Sequence, residues 1–157
     1  MTTVNVDRLR DVLEHVTTCP HTWDQNVWLV PPEDAAVEAQ PGTDWTCGTT
    51  ACLAGWAALR HGYRPSRNDD HVVRLDDPDD WGYARFVSDV ARELLGLTRE
   101  QGDLLFAGAN ALRDLWEYAR VFTDGAIEVP DEVRRTSLIV TFDEDEARAT
   151  FDRQDDR

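Results

Sequence analysis

Residues 47–62, Cys47-Gly48-Thr49-Thr50-Ala51-Cys52-Leu53-Ala54-Gly55-Trp56-Ala57-Ala58-Leu59-Arg60-His61-Gly62, form the longest run of small and apolar side chains in a chain of formal net charge −15. Such a run reads as a loop leading into a buried helix. Thr49 or Thr50 can cap that helix, because a threonine oxygen accepts a hydrogen bond from a free amide of the first turn. Leu53, Trp56 and Leu59 then share one apolar face, and Ala51, Gly55 and Ala58 a smooth one. Gly55 weakens a helix unless another backbone must come close. Gly62 suits the left-handed residue that ends a helix. The expectation is a central helix near 49–61 with neighbours packed tightly around it.

With 157 residues the chain is long enough for one domain with a real core. It has no apolar run of about 18 residues, the length a membrane helix needs. Its first residues, Met-Thr-Thr-Val-Asn-Val-Asp, lack the basic and apolar regions of a signal peptide. Three cysteines, an odd number, fit a reducing compartment better than a disulfide framework. A cytoplasmic location is expected. Nonspecific nucleic-acid binding and attachment to anionic membranes both need a basic surface, so neither is expected of this chain. All 16 basic residues are arginine. With the richness in Ala, Asp and Val, that points to a GC-rich genome.

Along the chain, Asn5 is placed to cap a first helix whose Val6, Leu9, Val12, Leu13 and Val16 share a face, with Pro20 ending it. Trp23, Trp28 and Trp45 lie in an aromatic connection over residues 20–46, with a short strand expected within 26–30. Residues 31–45 read as an exposed, turn-rich loop. A strand is expected at 71–75. A third helix is expected from Trp81 or Tyr83 to Leu95, with Phe86 inward and Gly96 as its stop. Thr98 and Gln101 form a capping box for a fourth helix, and Asn110 is expected to cap a fifth. Residues 126–129 and 137–142 read as strands. The charged stretch 143–157 reads as a frayed helix or a disordered tail. The fold expected is α+β and mainly helical: about five helices around the central one, a small antiparallel sheet, a globular unit over 1–142 and a tail over 143–157.

The Cys-Gly-Thr-Thr-Ala-Cys-Leu-Ala-Gly-Trp element at 47–56, preceded by Trp23-Asp24-Gln25-Asn26-Val27-Trp28, resembles a family of small uncharacterised proteins of actinobacteria and their bacteriophages. The stretches Glu93–Gln101, Leu105-Phe106 and Asn110–Leu115 are similar to that family too, so the resemblance covers roughly residues 5–122. Against that pattern, residues 29–45 look like an insertion and 125–157 like an extension. The family implies an origin and an architecture but no established activity.

Several chemistries remain open on these residues. Cys47 sits before a helix N-terminus, where amide dipoles stabilise a thiolate. A catalytic thiol would need a histidine base. His61 lies at the far end of a helix about 15 Å long and cannot serve; His21 or His71 could, through the fold. Cys19, His21, Cys47 and Cys52 make a sufficient tetrahedral set for zinc, though without a tight Cys-x2-Cys knuckle. A Cys47–Cys52 disulfide is a third option. The preferred reading is that Cys47 and Cys52 are small buried residues, with no cofactor and no catalytic residue. The aspartates at 69, 70, 76, 77, 79 and 80 could ligate calcium or magnesium, but read more simply as a solvated loop. Trp23, Trp28 and Trp45 are candidates for a protein interface. The function expected is that of a noncatalytic accessory protein, phage-encoded, that binds a host or phage protein. Two alternatives are a thiol, zinc or redox protein using Cys47 and Cys52, and an acidic nucleic-acid mimic that occupies a DNA-binding protein.

Overall fold

Asn5 opens the first helix as its sequence demands: its side chain accepts a 3.1 Å hydrogen bond from the Arg8 amide. The computed structural model describes residues 3–31, 48–66, 69–75, 77, 79 and 83–155. Helix α1 spans Val6–Thr18, and its Leu9, Val12, Leu13 and Val16 are fully buried. A single 3-10 turn, Pro20–Thr22, follows.

Strand β1 (Leu29–Val30) pairs antiparallel with β2 (Thr50–Ala51), so part of the strand expected within 26–30 is present. This pairing changes how the central helix begins. Thr50 is spent on the ladder, and the Thr49 hydroxyl is buried without a hydrogen-bond partner among the described residues. Neither threonine caps. Helix α2 runs over Leu53–Arg60, starting after Cys52. Its residues 53–58 are all buried, as a central element requires.

Three strands follow in antiparallel order: β3 (Tyr63–Ser66), β4 (Asp69–Leu75) and β5 (Arg85–Phe86). The expected strand at 71–75 lies within β4. Val73 sits opposite Pro65, and both are buried. Helix α3 covers Val87–Leu95 and does not reach back to Tyr83. Phe86 belongs to β5 and is 61% exposed rather than inward, because it pairs across from Val72 instead of continuing the helix. Gly96 ends α3 at φ +66°, the left-handed region glycine tolerates.

Helix α4 (Arg99–Leu105) carries the full capping box: Thr98 accepts from the Gln101 amide and Gln101 from the Thr98 amide. Helix α5 spans Leu112–Phe122, α6 Asp131–Thr136 and α7 Glu144–Asp155. Asn110 does not cap α5. Its amide donates to the carbonyls of Leu104 and Leu105 and so closes the end of α4. Asp114 reaches back 2.7 Å to the Ala111 amide instead.

The expected strands at 126–129 and 137–142 are not formed. The Ala126 amide closes a turn on Thr123, while Ile127 and Val129 bury their side chains from a loop. The amides of Val140 and Phe142 both donate to Asp114 Oδ1, at 2.9 and 3.1 Å, which removes them from any ladder. The charged stretch after 143 is helical in α7, with Ala147 and Thr150 buried.

The fold is therefore α+β and mainly helical, with a small sheet. Helix α2 lies between α1 and α3, and α5 is covered by α1, α4, α6 and α7. Among the described residues, no helix is long and apolar enough to cross a membrane.

Candidate functional site

The tryptophan stretch 23–28 and the start of α2 come together around Gln25. Gln25 Oε1 accepts from the Leu53 amide at 3.2 Å and from Trp23 Nε1 at 2.9 Å, while its amide nitrogen donates to the Leu105 carbonyl. The free amide at the start of α2 is thus capped by a side chain 28 residues away. Trp56 Nε1 donates to the Thr22 carbonyl at 2.9 Å and ties the helix to the same loop. Gly55 is the contact point. A Cβ there would fall onto the Trp28 carbonyl oxygen and lie 2.8 Å from Ala51 Cβ. The Ala-Gly-Trp sequence is accounted for by this close approach.

Cys52 is 1% exposed, with Sγ 3.7 Å from the Trp28 carbonyl oxygen. Burial pushes its thiol pKa up to about 11, against a weaker pull from the amides of Gly55 and Ala54. The thiol is neutral at physiological pH and lies beneath the surface of the described residues. Cys19 is half-buried and His21 exposed. Cys47, the fourth member of the zinc set and the candidate nucleophile, lies outside the described residues, as does Trp45. Among the described residues no three His, Cys, Asp or Glu side chains gather as a metal site would require. In the aspartate-rich stretch, Asp77 accepts from the Asp79 amide and both are exposed; Asp76 and Asp80 lie outside the described residues.

Trp23 and Trp28 are half-buried and packed against the core. Trp23 also borders a shallow depression of about 420 Å³ between residues 23–26 and residues 108–111. Asp24, Asn26 and Ala109 are exposed on its rim, and the Asp24 carboxylate orients the Asn26 amide group. Gly108 lets the two turns approach: a Cβ there would be 3.3 Å from Asn26 Oδ1. The lining is polar and neutral apart from Asp24.

A second polar group joins α1 to the end of α2. Arg60 forms two 2.8 Å hydrogen bonds to the Asp11 carboxylate, and its other nitrogen lies 3.2 Å from His15 Nδ1. His61 Nε2 is 3.7 Å from the same carboxylate. The His15 ring is buried at 4.3 Å from the Trp56 ring. Because Arg60 can only donate, His15 Nδ1 accepts and Nε2 carries the proton. That Nε2 has no partner among the described residues. Burial, then the Arg60 charge, lowers the His15 pKa, with Asp11 opposing and His21 adding to the effect. The Arg60 hydrogen bond holds Asp11 below the usual carboxylate range. Sequence analysis singled out neither Asp11 nor His15 and missed this group. Its signal was the four-residue spacing of Asp11 and His15, which puts both on one side of α1.

Sequence reasoning also missed the surface at 138–140. Leu138, Ile139 and Val140 are 80%, 45% and 65% exposed. They are nevertheless fixed. Asp114 holds Val140 and Phe142, Thr141 bonds to Asn110, and the Tyr118 hydroxyl donates to the Thr141 carbonyl. No family model matches the chain, and comparison with curated proteins and with solved structures finds no match.

Proposed function

We propose that the chain is a noncatalytic accessory protein, phage-encoded and cytoplasmic in an actinobacterial host, that acts by binding a protein of the host or the phage. The burial of Cys52 carries this reading. The described part of the element at 47–62, residues 48–62, packs into the core, and burial raises the pKa of its Cys52 thiol. The resemblance at 23–28 and 47–56 supports the origin. The net charge of −15 favours fast encounter with a basic surface on the partner. The depression beside Trp23 offers the binding face, with an aromatic edge, exposed polar groups and a rigid floor at Gln25.

The test has two parts. Brief alkylation of the native protein at neutral pH, read by intact mass and peptide mapping, is expected to leave Cys52 unmodified until the chain is unfolded. Selective modification of Cys47 or Cys52 in the native state would overturn the noncatalytic reading. Tagged protein is then compared with an Asn26→Arg, Ala109→Arg variant for retention of proteins from actinobacterial lysate. A band held by the first and lost by the second, at unchanged melting temperature, supports the face. Equal retention by both places the binding elsewhere and overturns it.

A further inference from the structure

We propose that residues 137–142 dock on the same segment of a second copy, antiparallel about a two-fold axis at Ile139. Three consecutive large apolar side chains are in solvent here, on a segment that the buried carboxylate of Asp114 holds in one place. The amides of Leu138 and Ile139 make no hydrogen bond among the described residues. A fixed segment with exposed apolar side chains and two unused amides is a surface for another chain.

The charges at its two ends say which chain. The last turn of α6 carries Arg134 and Arg135, which have no ion-pair partner among the described residues although acidic groups outnumber basic ones. The first turn of α7 carries Asp145 and Glu146, equally without one, next to the capping Asp143. A uniformly basic partner would meet the two arginines, and a uniformly acidic one would meet the start of α7. A second copy laid antiparallel answers both. Arg135 and Asp143 lie four residues either side of Ile139, so each copy's α6 end comes to the other's α7 start. Leu138 of one copy then meets Val140 of the other, an apolar contact that the two-fold axis makes twice. Repulsion between two acidic copies is screened beyond about 8 Å at physiological salt, so the local pairs decide.

Sedimentation velocity of the whole chain, from micromolar to submillimolar concentration, is expected to show a reversible dimer. Leu138→Asp is expected to weaken it at least about tenfold. The orientation has its own test. A double variant Arg134→Glu, Arg135→Glu and a second, Asp145→Arg, Glu146→Arg, are each expected to be monomeric, because like charges meet at both ends. Mixed together they are expected to form a heterodimer. Ile139→Cys, on the axis, is expected to give a disulfide-linked dimer that the native cysteines do not. A wild-type chain that stays monomeric throughout overturns the proposal, as does a dimer indifferent to Leu138→Asp. A dimeric wild type whose charge variants fail to pair when mixed overturns the antiparallel arrangement.

Discussion

The start of α2 and the segment 137–142 are both governed by one buried polar side chain, with opposite results. At α2, Gln25 draws a loop onto a helix end, and the start of that helix, Cys52 and Leu53, is withdrawn from water. At 137–142, Asp114 takes the backbone amides of Val140 and Phe142, and the apolar side chains beside them are left in water. The difference lies in what each group binds. A neutral amide both donates and accepts, so Gln25 can bridge two elements that close over it. An ionised carboxylate only accepts. Asp114 gathers amides from Ala111, Val140 and Phe142 and turns the rest of the segment outward.

The largest effect expected is from Gly55→Ala. The new Cβ collides with the Trp28 carbonyl, which is backbone and cannot swing aside, so a loss of about 3 kcal/mol is expected, at the upper end for overpacking. Chemical denaturation measures it. A loss under about 1 kcal/mol would mean that the loop and α2 are not pressed together as described.

Asp114→Ala comes next. It strands three amides on a fully buried position, and a loss of about 2 kcal/mol is expected, with new protease cleavage within 137–142. Unchanged protease resistance would show that the segment holds its place without the carboxylate.

A smaller effect concerns pH. The His15 pKa is lowered in the folded protein, so the unfolded chain takes up its proton first, below about pH 6.5. The stability His15 contributes is complete above that pH and is lost as pH falls beneath it. Asp11 is also lowered, but from 3.8, so its contribution persists through that window. Melting temperature followed from neutral to mildly acid pH is expected to fall, and less steeply in His15→Gln. Equal slopes would remove His15 as the cause.

The smallest effect is expected at Leu138→Asp, within about 0.5 kcal/mol of wild type when both are measured dilute, as monomers, because the side chain is then in solvent. A large loss would place Leu138 in the core and erase the contrast between the two regions.

Local signals were legible. Asn5, Gly96 and the Thr98–Gln101 box act on amides or carbonyls a few residues away, and they sit where the sequence puts them. What was not legible depends on partners distant in the chain. Thr50 reads as a cap until Leu29–Val30 pairs with it. Asn110 reads as the start of α5, yet its amide serves the end of α4. Residues 137–142 read as a strand, but a carboxylate 26 residues upstream claims the amide of Val140, and the backbone bends at Val140 and Thr141. The cysteine-containing motif was recognisable as the centre of the fold. The identity of what packs against it, the Trp28 carbonyl and the Gln25 amide, was not, because neither the loop path nor the side-chain direction is encoded in local periodicity.

The spacing of Asp114 and Val140 also imposes an order in time. A ribosome adds roughly 5–20 residues per second, so Val140 is made a second or more after Asp114. Until then the carboxylate is hydrated, and the flank of α5 that α6 and α7 will cover is bare. The stretch from Pro130 onward, made after α5, is the one that covers that flank.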